Sequence, residues 1–112
     1  MGAIAAPILP GKLEGWKEFT AALKGEKKQE FEDFNKRYNL TRHRSWLQAD
    51  GGHLAIILHE GLGADGFMHS LGQSSHAFDE WFKDNVKEAH GMDLSQPPPG
   101  PPPELAVDYS SA

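Results

Sequence analysis

Histidine is the residue type in this chain with the most obvious capacity for chemistry. Six histidines occur among 112 residues, and imidazole is the side chain expected to titrate near neutral pH. Cysteine is absent, which excludes disulfides, thiolate metal sites and a cysteine nucleophile. Acid–base chemistry and metal binding by imidazole are therefore the first possibilities to weigh. The six are His43, His53, His59, His69, His76 and His90.

Two of these, His43 and His59, are expected to face each other across a β-hairpin. Alternating, β-prone residues on both sides of Asp50-Gly51-Gly52 predict two strands joined by a tight turn. A three-residue loop then fixes the register of the ladder. Directly opposed side chains have Cβ atoms about 5 Å apart, so one imidazole could relay a proton or share a ligand with the other. The predicted pairs are Arg42 with Glu60, His43 with His59, and Trp46 with Ile56.

This pair has three possible roles. It could orient a ligand or exchange protons with it, it could contribute to a metal site, or it could consist of two half-exposed sheet histidines without chemistry. A catalytic zinc needs about three protein ligands, and the third would come from His69, His76 or a carboxylate. No His-Glu-x-x-His spacing supports that. We therefore predict no metal and no other cofactor, with His43 and His59 as the candidate catalytic residues.

The other face of the same hairpin carries two cations and an indole ring. Arg42, Arg44 and Trp46 alternate along the first strand. Because a guanidinium forks onto carboxylates and stacks on rings, these residues are a candidate binding site for an aromatic or anionic ligand. In the competing interpretation, charges on an edge strand prevent further strand pairing, and Arg42 is satisfied by Glu60.

The rest of the chain predicts the elements that position these residues. An apolar segment at 3–9 predicts a strand. Apolar residues spaced three and four apart predict one long amphipathic helix from Gly11 to Tyr38. Gly25 lowers helix propensity in its middle, so the alternative is two helical pieces with a bend there. Asn39 suits a left-handed cap. Two further helices are predicted, at 65–72 and from Ser74 or Ser75 to Gly91.

Six of the eight prolines lie between residues 97 and 103. Proline cannot donate a backbone hydrogen bond and favours an extended polyproline helix. We predict an extended connector over 95–104 that leads to a short last strand over 105–109, where Leu105, Val107 and Tyr109 need burial. Alternatively, the prolines are a ligand for a groove of the SH3 or WW type.

The resulting element order, β-α-β-β-α-β, predicts a single ferredoxin-like domain over residues 1–112. Its class is α+β, with a four-stranded antiparallel sheet and helices on one face. The hairpin carries large apolar residues on both faces, and an open apolar sheet face is typical of an interface. We therefore predict a homodimer formed through the sheet.

Four segments of the chain form a recognisable pattern: Pro7 to Lys12 with Trp16, Leu40-Thr41-Arg42 through Trp46-Leu47-Gln48, Phe78 to Phe82, and His90 to Leu94 leading into the prolines. Spread over nearly the whole chain, they resemble a family of small uncharacterised bacterial proteins. That family belongs to the dimeric α/β-barrel superfamily. The resemblance implies a ferredoxin-like protomer whose sheet packs against its twin's to close a barrel. It brings no activity, because no catalytic motif of the superfamily's monooxygenases, haem-binding proteins or isomerases matches.

Charge and hydropathy disfavour several classes of partner. The net charge is −5, with a net +3 through Arg44 and −8 from Ser45 onward, and no basic stripe is interleaved with aromatic residues. We therefore expect no nucleic-acid partner. No apolar run approaches the roughly 20 residues that span a bilayer, so no membrane is expected. The first nine residues lack a basic signal-peptide region, which predicts a cytoplasmic location.

Together these patterns predict a small homodimeric protein that binds or transforms a small aromatic or anionic molecule. The site is expected in a cleft between the sheet and the helices, with His43 and His59 on its wall. The alternative is a non-catalytic structural or regulatory homodimer. No serine has the surroundings of a nucleophile elbow and no glycine-rich loop carries a phosphate-binding lysine, which leaves hydrolase and nucleotide-binding functions without support.

Overall fold

The fold consists of three antiparallel strands and four helices in a computed structural model that describes residues 2–98 and 103–111. Strand β3 is central in the sheet, and β1 and β2 are its edges. In chain order the elements are β1 (Gly2–Pro7), α1 (Leu13–Lys24), α2 (Lys28–Arg37), β2 (Arg42–Gln48), β3 (Leu54–Glu60), α3 (Phe67–Gln73) and α4 (Ala77–His90).

The predicted four-stranded ferredoxin-like sheet is wrong. Its fourth strand was expected over 105–109, but residues 103–111 are all exposed and none belongs to a strand. Alternation of apolar residues is a local pattern, whereas a strand also needs an edge to pair with. The barrel implied by the resemblance is overturned with it, because that barrel joins four-stranded sheets. Part of the predicted connector over 95–104, residues 99–102, lies outside the described residues.

The hairpin is confirmed in both position and register. Strands β2 and β3 pair antiparallel, and Gly51 and Gly52 in the turn adopt φ angles of 71° and 106°. These are left-handed conformations that glycine adopts without steric cost. As predicted, the opposed residues are Arg42 with Glu60, His43 with His59, and Trp46 with Ile56.

The single long helix predicted up to Tyr38 is wrong, because the chain breaks at Gly25. Gly25 has φ −118° and ψ −105°, which is not helical, and the N–H groups of Gly25 and Lys27 both donate to the carbonyl of Ala22. Glycine lowers helix propensity at this point, and its freedom permits the tight turn. The break sets the direction of α2, whose rings Phe31 and Phe34 lie 5.1 and 6.5 Å from the His43 ring.

The helices pack on the sheet face that carries His43 and His59. A smaller cluster of Ile8, Trp16, Ala55 and Ala89 joins β3 to α1 and α4. The opposite sheet face, here called the outer face, exposes 46% of Trp46 and 37% of Ile56. No helix in the described ranges is both long and apolar enough to cross a membrane. The main core consists of Phe19, Phe34, Leu40, Ala64, Phe67, Leu71, Phe78 and Phe82.

Candidate functional site

His43 and His59 form a hydrogen-bonded imidazole pair on the inner face of the sheet. Their Nε2 atoms are 3.2 Å apart, and the ring centroids are separated by 4.4 Å with the planes at 73°. His59 is 3% exposed and His43 is half-buried. One ring must donate and the other accept, so the two rings hold different tautomers when both are neutral.

Asn35 of α2 extends this pair into a chain of three groups. Its Oδ1 atom lies 3.0 Å from Nδ1 of His43. With that oxygen facing the ring, His43 donates from Nδ1, and its bare Nε2 accepts a hydrogen bond from the Nε2–H of His59. Nδ1 of His59 is then the acceptor that remains at the end of the chain. The contact between Asn35 and His43 was not predicted, because the orientation of α2, which carries Asn35, depends on the helix break at Gly25.

Aromatic rings enclose the pair and keep it uncharged. The ring of Phe67 lies 4.6 Å from that of His59, and the ring of Phe31 lies 5.1 Å from that of His43. Burial lowers the pKa of His59 to about 4; burial, together with the nearby His59, lowers the pKa of His43 to about 3. Both imidazoles are therefore neutral at pH 7, where they offer hydrogen bonds without a formal charge.

A cavity of about 60 Å³ lies beside the pair, between the sheet and the helices. Such a space can hold a few water molecules, since one needs roughly 10–15 Å³ of it. His90 closes part of it, where its Nδ1 lies 2.8 Å from the carbonyl oxygen of Pro7, and burial lowers its pKa. The wall is mostly apolar and includes Ile4, Trp16, Leu23, Ile57, Phe67, Met68, Phe82, Val86, Met92 and Leu94 as well as the three histidines.

Arg42, Arg44 and Trp46 lie on the outer face and do not line this cavity. The guanidinium carbon of Arg44 is 5.0 Å from the ring centroid of Trp46, which is cation–π distance. The Nε atom of Arg44 is buried without a hydrogen-bond partner. The two sets of predicted site residues are therefore on opposite sides of the sheet, where they cannot act on one ligand.

A second polar cluster, centred on buried Asp79, was not predicted. Two guanidinium nitrogens of Arg37 donate to its carboxylate at 2.6 and 3.1 Å, and the hydroxyls of Tyr38 and Ser74 each donate at 2.6 Å. Burial raises the pKa of Asp79, but these hydrogen bonds outweigh it and bring the pKa to about 2. Because every partner is satisfied, this cluster fastens the end of α2 to the junction of α3 and α4.

Metal coordination finds no support in this geometry. Across residues 2–98 and 103–111, no three histidine, aspartate or glutamate side chains converge where they could hold an ion. His69 and His76, the histidines considered as third ligands, do not join the imidazole pair. His76 instead caps α4, with its Nδ1 accepting from the N–H of Phe78 at 3.2 Å.

No protein-family model, curated protein or solved structure matches this chain. The resemblance to the small bacterial family consequently stays a prediction, and the site has to be interpreted from its own geometry.

Proposed function

We propose that the protein binds a small, largely apolar organic molecule in the cavity between its sheet and its helices. The observation that supports this most directly is the pair of buried, neutral imidazoles on the cavity wall. A ligand with an aromatic body and one hydroxyl group fits best, because the ring would face apolar side chains. Its hydroxyl would donate to the acceptor nitrogen of His59.

The neutral state of the pair restricts both the charge of a suitable ligand and the reactions that the two histidines could catalyse. An anionic ligand would be buried without a counter-charge, which is costly in an apolar site. General-base catalysis is most effective when the pKa of the base lies near the working pH. With pKa values of about 3 and 4, His43 and His59 are better suited to orient a hydroxyl than to deprotonate it.

A ligand must enlarge the cavity as it enters. Sites for organic ligands usually measure about 300–1,000 Å³, several times the volume present here. Met68, Met92 and Leu94 line the cavity and are partly exposed. Methionine is flexible and repacks at low cost, so these side chains are the ones that we expect to move.

A thermal-shift screen with phenol, neutral substituted phenols, benzoate and haem tests this proposal. We expect phenols to raise the melting temperature of the wild-type chain and of His53→Ala, a control at an exposed histidine in the hairpin turn. The same phenols should leave His59→Ala unshifted. Equal affinity in wild type and His59→Ala excludes His59 from the site, and a preference for benzoate over phenol contradicts the uncharged site.

We further propose a homodimer, which would be the whole function if the cavity holds no ligand. Support comes from the outer face, where Trp46 and Ile56 are opposed and both are exposed. Exposed apolar residues grouped on one sheet face are typical of an interface. The proposed dimer does not involve the barrel, which the three-stranded sheet excludes.

A further inference from the structure

We infer that the C-terminal segment of one copy binds the outer face of a second copy. The segment, here called the tail, comprises residues 104–109. This inference rests on the proposed homodimer and is independent of the cavity and its ligand.

The tail carries three large apolar side chains in a pattern that suits binding to a surface. Leu105, Val107 and Tyr109 are 64%, 84% and 86% exposed. Residues two apart lie on the same side of an extended segment, so all three can contact one surface together. Such a row of exposed apolar side chains favours association, because water is released when it is covered.

The outer face provides a surface of matching character. Its middle is a row across all three strands in which Ala5 and Trp46 flank Ile56. The adjacent row places Ala3 and Arg44 beside Leu58. The small alanines of β1 leave the larger side chains of β2 and β3 accessible from one side.

The charges of the tail and the outer face are complementary. Glu104 and Asp108 make the tail acidic. On the outer face Glu60 lies opposite Arg42 and offsets its charge, whereas Arg44 lies opposite apolar Leu58 and has no ion pair among the described residues. In an extended tail the two carboxylates lie on the side opposite Leu105, Val107 and Tyr109, so their attraction to Arg44 acts across the edge of the contact and not through a direct hydrogen bond.

A second copy is the partner that these observations favour. Within one chain the tail is exposed and does not cover the outer face, so both surfaces are unused. Every copy carries one tail and one face. Reciprocal exchange therefore forms two equivalent contacts and closes a two-fold dimer, which is the commonest symmetry of homo-oligomers.

Sedimentation equilibrium of the full chain provides the first test. We expect the wild type to dimerise and the triple variant Leu105→Ser, Val107→Ser, Tyr109→Ser to have a dissociation constant at least about tenfold higher. Leu62→Ser is the matched control, because Leu62 is fully exposed but belongs to neither surface. A monomeric wild type overturns the homodimer and this inference together. A dimeric triple variant of unchanged affinity overturns only the inference.

Mixing two variants tests whether the tail acts between copies. The triple variant keeps an intact outer face, and Arg44→Glu keeps an intact tail, so each alone lacks both contacts whereas their mixture restores one. We expect the mixture to form heterodimers more tightly than either variant forms homodimers. A mixture no tighter than its components contradicts binding of the tail between copies.

Discussion

At the scale of single residues, the pKa values of the imidazole pair are set more by the apolar surroundings than by the contact between the two rings. Burial is the main cause of the lowered pKa of His43 and the cause of the lowered pKa of His59. The hydrogen bond between the two rings, at 3.2 Å, is at the long end of the usual range. In the unfolded chain both residues return to ordinary pKa values near 6.5. The unfolded state therefore binds protons more readily than the folded state, and acid should unfold the protein.

We predict a loss of stability between pH 6.5 and pH 5. A lowered histidine pKa contributes stability that is complete above the unfolded value of about 6.5 and is lost as pH falls toward the folded value. His43 and His59 together lower the free energy of unfolding by about 3 kcal/mol over this interval. His90, whose pKa is also lowered by burial, adds to the fall. Asp79, with a pKa of about 2, stays ionised throughout and contributes nothing to the slope. Urea denaturation at both pH values measures the change.

His59→Asn isolates the contribution of the pair to this dependence. The variant should lose about half of the part that the imidazole pair contributes, and exposed His53→Asn should keep the whole change. An identical dependence in wild type and His59→Asn contradicts the assignment of the slope to the buried pair.

The sequence predicted the opposition of His43 and His59, because register follows from turn length and alternation. It did not predict that both are enclosed. That depends on Phe67 and Phe31, which come from other elements, and on Asn35, whose position is set by a helix break. Contacts between distant segments are not encoded in local spacing.

At the scale of elements, two helical glycines have opposite roles. Gly72 lies near the end of α3, and a Cβ atom there would collide with the carbonyl oxygen of Leu94 as the chain leaves α4. Gly15 lies in α1, where a Cβ atom would meet nothing within 4 Å. The absence of a side chain is necessary at Gly72 and only lowers helix propensity at Gly15.

The same substitution at these two positions should change stability in opposite directions. Gly72→Ala should lower the free energy of unfolding by about 1–3 kcal/mol, because backbone on both sides must shift. Gly15→Ala should raise it by about 0.5–1 kcal/mol through helix propensity. Thermal melts of the two variants beside the wild type measure both, and equal melting temperatures would contradict the close approach of α3 and Leu94.

Elements with strong local signals were predicted correctly, and those that depend on distant partners were not. The hairpin turn contains two glycines in the left-handed conformation, and α4 is followed by Gly91 with φ 71°. In both cases a glycine marks the end of the element, so the boundary could be predicted from the sequence. The break after α1 was underestimated, because a single glycine costs only about 1 kcal/mol of helix propensity. The prediction of a strand at 105–109 was wrong, because alternating apolar residues do not by themselves supply a neighbouring strand to pair with.

At the scale of the whole molecule, the sheet divides the chain into two surfaces of different chemistry. Its inner face is aromatic and uncharged around the histidines, and its outer face combines exposed apolar residues with arginines. The acidic tail follows a chain whose first 44 residues carry the excess of positive charge. The proposed association through that tail would therefore be partly electrostatic.

We therefore predict that salt weakens the dimer. Raising the salt concentration from about 50 mM to about 500 mM shortens the screening distance to a few ångströms. The dissociation constant of the wild-type dimer should rise severalfold, and that of Arg44→Gln should change less. Sedimentation at both salt concentrations distinguishes the two, and a wild-type affinity that does not respond to salt would contradict a role for the arginines.

The cavity beside the imidazole pair also has a mechanical consequence. Hydrostatic pressure favours states of smaller total volume, and an apolar-walled cavity is volume that water can reclaim. A space of about 60 Å³ corresponds to a volume change on the order of tens of millilitres per mole. The inner side of the sheet around this cavity should therefore respond to pressure. In high-pressure NMR spectra, Ile57 and Val86 should shift before the residues of the β2–β3 turn.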